Sequence, residues 1–182
     1  TNTEDIGLLA ECGASVVHCP ESNLKLASGF CPVAELLAAG VNVALGTDGA
    51  GSNNDLDMFG EMRTAALLGK GTAADAAAVT AEDALAMATI NGARAVGLGD
   101  QIGSLVPGKL ADIACIDVEQ PATQPVHHPV STLVYSACRD QVSDVWVGGR
   151  AVLISRRLVD TDTSTIFTRA DAWQRRLAET YA

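Results

Sequence analysis

The seven-residue stretch Val43–Gly49 constrains this chain more than any other part of its sequence. Its apolar start follows a run of small residues and is typical of a buried strand of a parallel sheet. The strand leads to a single acid, Asp48, which is followed at once by a glycine and a polar loop. Folds of the α/β class place their chemistry at the carboxyl ends of such strands. We therefore predict that Asp48 is a functional carboxylate, the alternative being a turn or helix N-cap aspartate.

The segments around this strand alternate between helical and extended patterns. The order predicts a helix that Thr3 caps and Gly13 ends, a strand over 14–19, a polar loop over 21–29, and a helix over 33–39. Two more helices are predicted over 56–68 and from Thr80 to about 96, with a loop or weak helix over 69–79 between them. This alternation indicates parallel βα units and an α/β fold.

The sequence changes character near Gly97. A turn and an extended segment over 99–118 are followed by two strand-like runs over 130–137 and 142–147. Gly148-Gly149 predicts a tight hairpin, and the tail over 165–182 predicts an amphipathic helix with Phe167, Trp173 and Leu177 as docking residues. We therefore predict three parts: βα units over 1–98, a β-rich segment over 99–160 and a C-terminal helix over 161–182.

A second cluster of polar residues follows the strand that ends at His18. Ser22, Asn23 and Lys25 lie in the loop after it and are candidates for binding a substrate. Each also has a structural alternative: His18 as a core histidine bonded to a carbonyl, and the loop residues as turn formers. Ser52, Asn53 and Asn54 after Asp48 fit a helix-capping loop equally well.

Composition limits the class of partner and the compartment. The net charge of −10 argues against a nucleic acid or an anionic membrane as partner. No signal peptide and no apolar run of membrane-spanning length is evident in the sequence. The five cysteines form no CxxC pair, so we expect reduced, buried thiols in a cytoplasmic protein.

The exact residues in these segments are more informative than their alternation of apolar and polar positions. Residues 17–29 (VHCPESNLKLASG) and 45–54 (LGTDGAGSNN) closely resemble the amidohydrolase superfamily, and within it the methylthioadenosine/S-adenosylhomocysteine deaminases. Residues 103–113 (GSLVPGKLADI) resemble the segment where that family leaves its barrel for a β-sandwich, and 145–150 (VWVGGR) resemble a hairpin of the sandwich. The resemblance extends over essentially the whole chain.

The resemblance implies the C-terminal part of a (β/α)8 TIM barrel and the C-terminal strands of a small β-sandwich. It implies that Asp48 ligates a divalent metal, Zn²⁺ or else Fe²⁺, and accepts a proton from the water that attacks C6 of an adenine ring, so that ammonia leaves. His18, Ser22 and Asn23 would lie near the nucleoside substrate or shape its pocket. The implied partners are the remainder of the enzyme and further copies of it in a homo-oligomer.

The sequence also departs from that family. The family carries a paired His-x-His on the first barrel strand and a metal-binding histidine on the fifth, and His18, His127 and His128 match none of these. The catalytic glutamate of the fifth strand is absent as well. A catalytic zinc needs about three protein ligands, so we expect this chain to be part of a longer enzyme and inactive alone. The alternatives are another amidohydrolase (a guanine or cytosine deaminase or a chlorohydrolase), a non-catalytic oligomeric interaction module on the same scaffold, and a complete small α/β domain.

Overall fold

The structure is a computed structural model and describes residues 2–181. Its first part contains helix α1 (Thr3–Glu11), strand β1 (Ser15–His18), helices α2 (Pro20–Lys25) and α3 (Val33–Ala38), and strand β2 (Asn42–Leu45). Three helices follow: α4 (Met58–Ala73), α5 (Ala81–Ala88) and α6 (Ile90–Ala95). This order matches the predicted βα units.

Strands β1 and β2 pair in parallel, with Ser15 opposite Asn42 and His18 opposite Leu45. Within the described residues, β2 has β1 as its one hydrogen-bonded neighbour. One face of this pair packs against helices α3–α5, where the fully buried Val43 joins a core with Leu36, Ala65 and Met87. The opposite face is open at Val17, whose side chain is 57% exposed.

The second part contains strand β3 (Ile113–Ile116), helix α7 (Pro129–Tyr135), a short 3₁₀ turn (Arg139–Gln141), and strands β4 (Val142–Val147), β5 (Arg150–Ile154) and β6 (Arg157–Leu158). These strands form an antiparallel sheet in the order β3-β4-β5-β6. Gly148 and Gly149 both have positive φ, 56° and 79°, as a two-residue hairpin turn requires, so the hairpin prediction is confirmed.

One predicted strand is wrong. Residues 130–135 of this run belong to helix α7 instead, although their valines and threonine favour a strand. Pro129 stands at the first helical position, and the ring Nδ1 of His128 accepts a hydrogen bond from the Ser131 backbone N–H. This start signal and the complete burial of Val134 outweigh local β propensity.

Several boundaries also differ from expectation. Asn2 rather than Thr3 caps α1, residues 21–25 of the predicted loop are helical, and the predicted helix over 80–96 breaks at Thr89. Thr80 does cap α5, with Asp83 completing a capping box. All five cysteines are free as expected, but the expected burial is wrong, because Cys12, Cys115 and Cys138 are exposed.

Helix α8 (Thr163–Tyr181) confirms the predicted C-terminal helix, and the last residue of that prediction, Ala182, lies outside the described part. Phe167, Trp173 and Leu177 are exposed by half or more, so their docking role stays a prediction. Among residues 2–181, no helix combines the length and apolar character needed to cross a membrane. The three-part division of the chain stays a prediction as well.

Candidate active site

Asp48 lies three residues beyond the end of β2, in the loop that leads towards α4. The Gly46 N–H donates to the His18 carbonyl oxygen at 3.0 Å and extends the parallel pairing by one step. An alanine Cβ at position 46 would lie 2.9 Å from Val17 Cγ1 of the neighbouring strand segment. Glycine at this position therefore allows the two segments to approach each other closely. Asp48 itself has a φ of +62°, a left-handed conformation that aspartate adopts more readily than most residues.

Two hydroxyl groups hold the Asp48 carboxylate, one from the loop after β1, which contains the short helix α2, and one from the loop after β2. Ser22 Oγ donates to Asp48 Oδ2 at 2.9 Å from helix α2, and Ser52 Oγ donates to the same oxygen at 2.5 Å. Within the described residues, no side chain donates to Oδ1. The family resemblance implies that Ser22 helps to shape a substrate pocket, which stays a prediction; the structure brings Ser22 into direct contact with Asp48.

These hydrogen bonds fix the protonation state. The Ser52 hydroxyl, the Gly49 backbone N–H and the Ser22 hydroxyl together lower the pKa of the Asp48 carboxyl, because each stabilises the charged form. Asp48 is therefore an ionised, oriented carboxylate at neutral pH. This is the state needed to ligate a metal ion or accept a proton.

His18 is nearly inaccessible, and its ring Nδ1 has no hydrogen-bond partner within the described residues. Its register opposite Leu45 places it on the helix-covered face of the strand pair, the face of Val43, because strand residues alternate between faces. Burial lowers the pKa of His18 to about 4, so the imidazole is neutral at pH 7. This placement favours a role behind the sheet over direct contact with a substrate.

Asn23 and Lys25 both lie in helix α2, but their side chains make different contacts. Asn23 is half-buried, and within residues 2–181 its side chain makes no hydrogen bond to Asp48; its carbonyl oxygen accepts from the Ser28 N–H. Lys25 Nζ donates to the Gly51 carbonyl oxygen at 3.1 Å and to Asn54 Oδ1 at 2.6 Å. Lys25 therefore joins the loop after β1 to the loop after β2.

A buried carboxyl group behind these loops was not identified from the sequence. Glu61 of α4 has no exposed surface, and its Oε1 accepts from Asn53 Nδ2 at 2.6 Å. Its Oε2 accepts from the Glu21 backbone N–H at 3.2 Å. Burial, followed by the negative charges of Glu21 and Asp55, raises the pKa of Glu61 to about 7 against the opposing effect of these hydrogen bonds. The available signal was an acid on the apolar face of α4, one turn from Ala65.

The metal-binding capacity of the described residues is limited. No three histidine, cysteine, aspartate or glutamate side chains among them converge on one point. Asp48 fits one position of a metal's coordination shell, as an ionised carboxylate with one oxygen not claimed by a side-chain donor.

The sequence model of the amidohydrolase family matches residues 1–152, which is most of the chain. The chain belongs to the amidohydrolase family. This confirms the family resemblance and an α/β fragment of that fold.

Relatives within the family share high identity with this chain. The 5-methylthioadenosine/S-adenosylhomocysteine deaminase of Teredinibacter turnerae is 58% identical over 97% of this chain and 40% of its own length. The enzyme of the same name from Moorella thermoacetica is 52% identical over 92% of this chain and 39% of its own length. The chain thus spans about 40% of the length of the curated relatives that it matches.

Solved amidohydrolase structures resemble the fold closely. The crystal structure of an adenosine deaminase from Xanthomonas campestris with bound zinc superposes with a TM-score of 0.97, at 54% identity over 98% of this chain and 41% of that one. An atrazine chlorohydrolase from Arthrobacter aurescens complexed with zinc gives a TM-score of 0.88, at 30% identity over 94% of this chain and 38% of that one.

Proposed function

We propose that the complete protein carrying this chain is a metal-dependent hydrolase that deaminates adenine nucleosides, namely 5′-methylthioadenosine and S-adenosylhomocysteine. The observation that carries the proposal is the Asp48 carboxylate, ionised and anchored on one oxygen by Ser22 and Ser52, in a chain 58% identical to a deaminase of that name. The deaminases exceed the chlorohydrolase in identity, 58% against 30%, which favours deamination.

We further propose that the two parallel strands belong to a (β/α)8 barrel and the antiparallel sheet to a small β-sandwich. One open face and one open edge of the strand pair support this architecture. Val17 on β1 is exposed on the face opposite the helices, and β2 has one strand neighbour among residues 2–181. Such surfaces are stable when further strands or another copy cover them.

In the proposed mechanism, Asp48 Oδ1 would ligate the metal, with zinc favoured because relatives contain it. A bound zinc ion acts as a Lewis acid and brings the pKa of water towards neutrality. Asp48 would accept the proton that the attacking water releases, because its lowered pKa keeps the carboxylate ionised at neutral pH. Ser22 and Ser52 hold Oδ2, which restrains rotation of the carboxylate and favours one direction of Oδ1. His18 stays neutral and buried beside the strand end.

The test is ammonia release by the complete, zinc-loaded protein as its gene encodes it. The panel comprises 5′-methylthioadenosine, S-adenosylhomocysteine, adenosine, guanine, cytosine and a chlorotriazine. We expect turnover of the adenine nucleosides, and the Asp48→Asn variant serves as the control for contaminating activity. Preferred turnover of guanine, cytosine or the chlorotriazine would assign another amidohydrolase activity. Loss of all turnover in a zinc-replete protein would favour the non-catalytic module.

A further inference from the structure

Two loops support Asp48, and one buried side chain lies behind both of them. Ser22 and Ser52 donate to Asp48 Oδ2 from the loops that follow β1 and β2. Glu61 accepts hydrogen bonds from the residues next to those serines along the chain: the backbone N–H of Glu21 and the side-chain amide of Asn53. The contacts close a ring that runs from Asp48 through both serines to Glu61.

From this ring, and on the basis of the proposed deaminase function, we propose that Glu61 is a positioning residue. It fixes the two serine-bearing loops relative to each other and so fixes the direction of the Asp48 carboxylate. Within the described residues no hydrogen bond joins Glu61 to Asp48, so its effect passes through the loops.

The hydrogen bonds around Glu61 leave little freedom to rearrange. Asn53 Oδ1 accepts from the Leu56 backbone N–H at 2.7 Å, so the amide must present Nδ2 to Glu61. Asn53 is itself 5% exposed, which excludes water as an easy substitute partner. Each oxygen of the Glu61 carboxylate therefore has its own donor from a different loop.

Position 60 shows how tightly helix α4 packs against the first loop. An alanine Cβ at Gly60 would lie 2.9 Å from Glu21 Oε1, and Thr64 Oγ1 donates to the same oxygen at 3.0 Å. The helix that carries Glu61 therefore holds Glu21 by its side chain as well as by its backbone N–H. A shift of this loop would carry Ser22 away from Asp48.

The arrangement permits a reciprocal exchange as a test. In Glu61→Gln, the introduced amide group faces the Asn53 amide, and two donors meet. In Asn53→Asp, the introduced carboxyl group faces Glu61, and one of the two acids must take up a proton. In the double variant, the introduced glutamine amide donates to the introduced aspartate carboxylate. That carboxylate still accepts from the Leu56 N–H, and the glutamine carbonyl oxygen still accepts from the Glu21 N–H. The exchange preserves total charge and the number of hydrogen bonds.

The first measurement is steady-state kinetics on the complete, zinc-loaded protein. We expect Glu61→Gln to lower kcat by about 10–100-fold, the usual cost of losing a group that supports a metal ligand, with a smaller change in KM. The double variant should recover most of kcat. If both single variants fail to fold, the double variant still decides: a folded double variant with the low kcat expected of Glu61→Gln would overturn the proposal.

A double-mutant cycle separates positioning from general destabilisation. In a background of Ser22→Ala and Ser52→Ala, Glu61→Gln should cost much less than it costs alone, because its path to Asp48 is already cut. Equal costs in the two backgrounds would overturn the proposal. Val134→Ala is the control, because it leaves a cavity at a fully buried position of α7 and so lowers stability without changing a residue of either loop.

Hydrogen exchange gives a readout independent of activity. Glu61→Gln should raise deuterium uptake in segments 20–25 and 50–56 together, and the double variant should reverse both changes. Unchanged uptake in the two segments would overturn the proposal whatever the activity. If the unaltered protein deaminates no nucleoside, the proposed function fails, while the exchange result still decides whether Glu61 joins the loops.

Discussion

The stability of this protein should depend on pH through two buried groups that act in opposite directions. Burial raises the pKa of Glu61 from 4.5 to about 7. Between these values the unfolded chain loses the proton while the folded protein keeps it, so stability falls as pH rises from 4.5 to 7. A displacement of this size corresponds to about 3 kcal/mol at about 1.36 kcal/mol for each pH unit.

His18 has the opposite sign. Burial lowers its pKa from 6.5 to about 4. As pH falls below 6.5, the unfolded chain binds a proton that the folded protein does not, so stability is lost towards pH 4. The magnitude is again about 3 kcal/mol. Between pH 4.5 and 6.5 the two effects on the unfolding free energy have opposite signs and should largely cancel. In this range the unaltered protein should therefore show little change of stability with pH.

Variants at each position should expose the other group. Glu61→Gln should become more stable with rising pH up to about 6.5, and His18→Gln should become less stable up to about 7. The assay is urea unfolding of the complete protein from about pH 5 to 8, with a chelator present so that metal release does not contribute. The decisive quantity is the difference in unfolding free energy between the unaltered protein and each variant. If the difference in unfolding free energy between the unaltered protein and Glu61→Gln stays constant with pH, Glu61 is hydrated in the folded protein. That result would refute the predicted pH dependence.

Three further predictions concern other parts of the chain. Asp48→Asn in the complete, zinc-loaded protein should lower kcat by at least about 10²–10⁴-fold, because an amide cannot act as a base; near-normal turnover would contradict the assigned role. Gly69→Ala should cost about 1–3 kcal/mol by overpacking, because its Cβ would overlap Val79 Cγ2. Val79→Ala should recover part of that cost in urea unfolding, whereas additive losses would argue against this contact. The isolated 182-residue chain should associate in sedimentation, because the free edge of β2 and the exposed Val17 leave open β surface; a compact monomer with a cooperative melt would contradict this.

The sequence predicted the position of Asp48 and the loop that reaches it, and the reason is local. A short apolar run followed by an acid and glycine places the acid at a strand end, and the resemblance placed Ser22 nearby. The contact between Ser22 and Asp48 joins residues 26 positions apart, yet each lies just after its own strand of one parallel pair. Parallel pairing brings such ends together, so the pattern carried the information.

Glu61 shows what the local pattern could not supply. It lies on the apolar face of a regular helix, where periodicity alone would place a core residue. Its partners are 8 and 40 residues away, and only the packing of α4 against both loops joins them. His18 illustrates a related limit, because the face on which a strand residue lies depends on which side the helices cover.

Helix α7 shows how a start signal can outweigh residue preference. The valines of 130–137 favour a strand when each residue is judged alone. The His128-Pro129 pair instead supplies a capping acceptor and a first-turn proline, and α7 then buries Val134 against the helices of the first part. A nearby contact, in which Arg63 of α4 donates to the Ala137 carbonyl oxygen at 2.6 Å, secures the end of this segment.

The same helix α4 therefore serves two purposes at different sides of its surface. Through Glu61 it holds the loops beside Asp48, and through Arg63 it holds the segment that leads into the antiparallel sheet. These two residues are neighbours on one rigid element, so a displacement of the sheet region would move Glu61 with it. Under the proposed role of Glu61, a change in the packing of that region should therefore alter the direction of the Asp48 carboxylate as well.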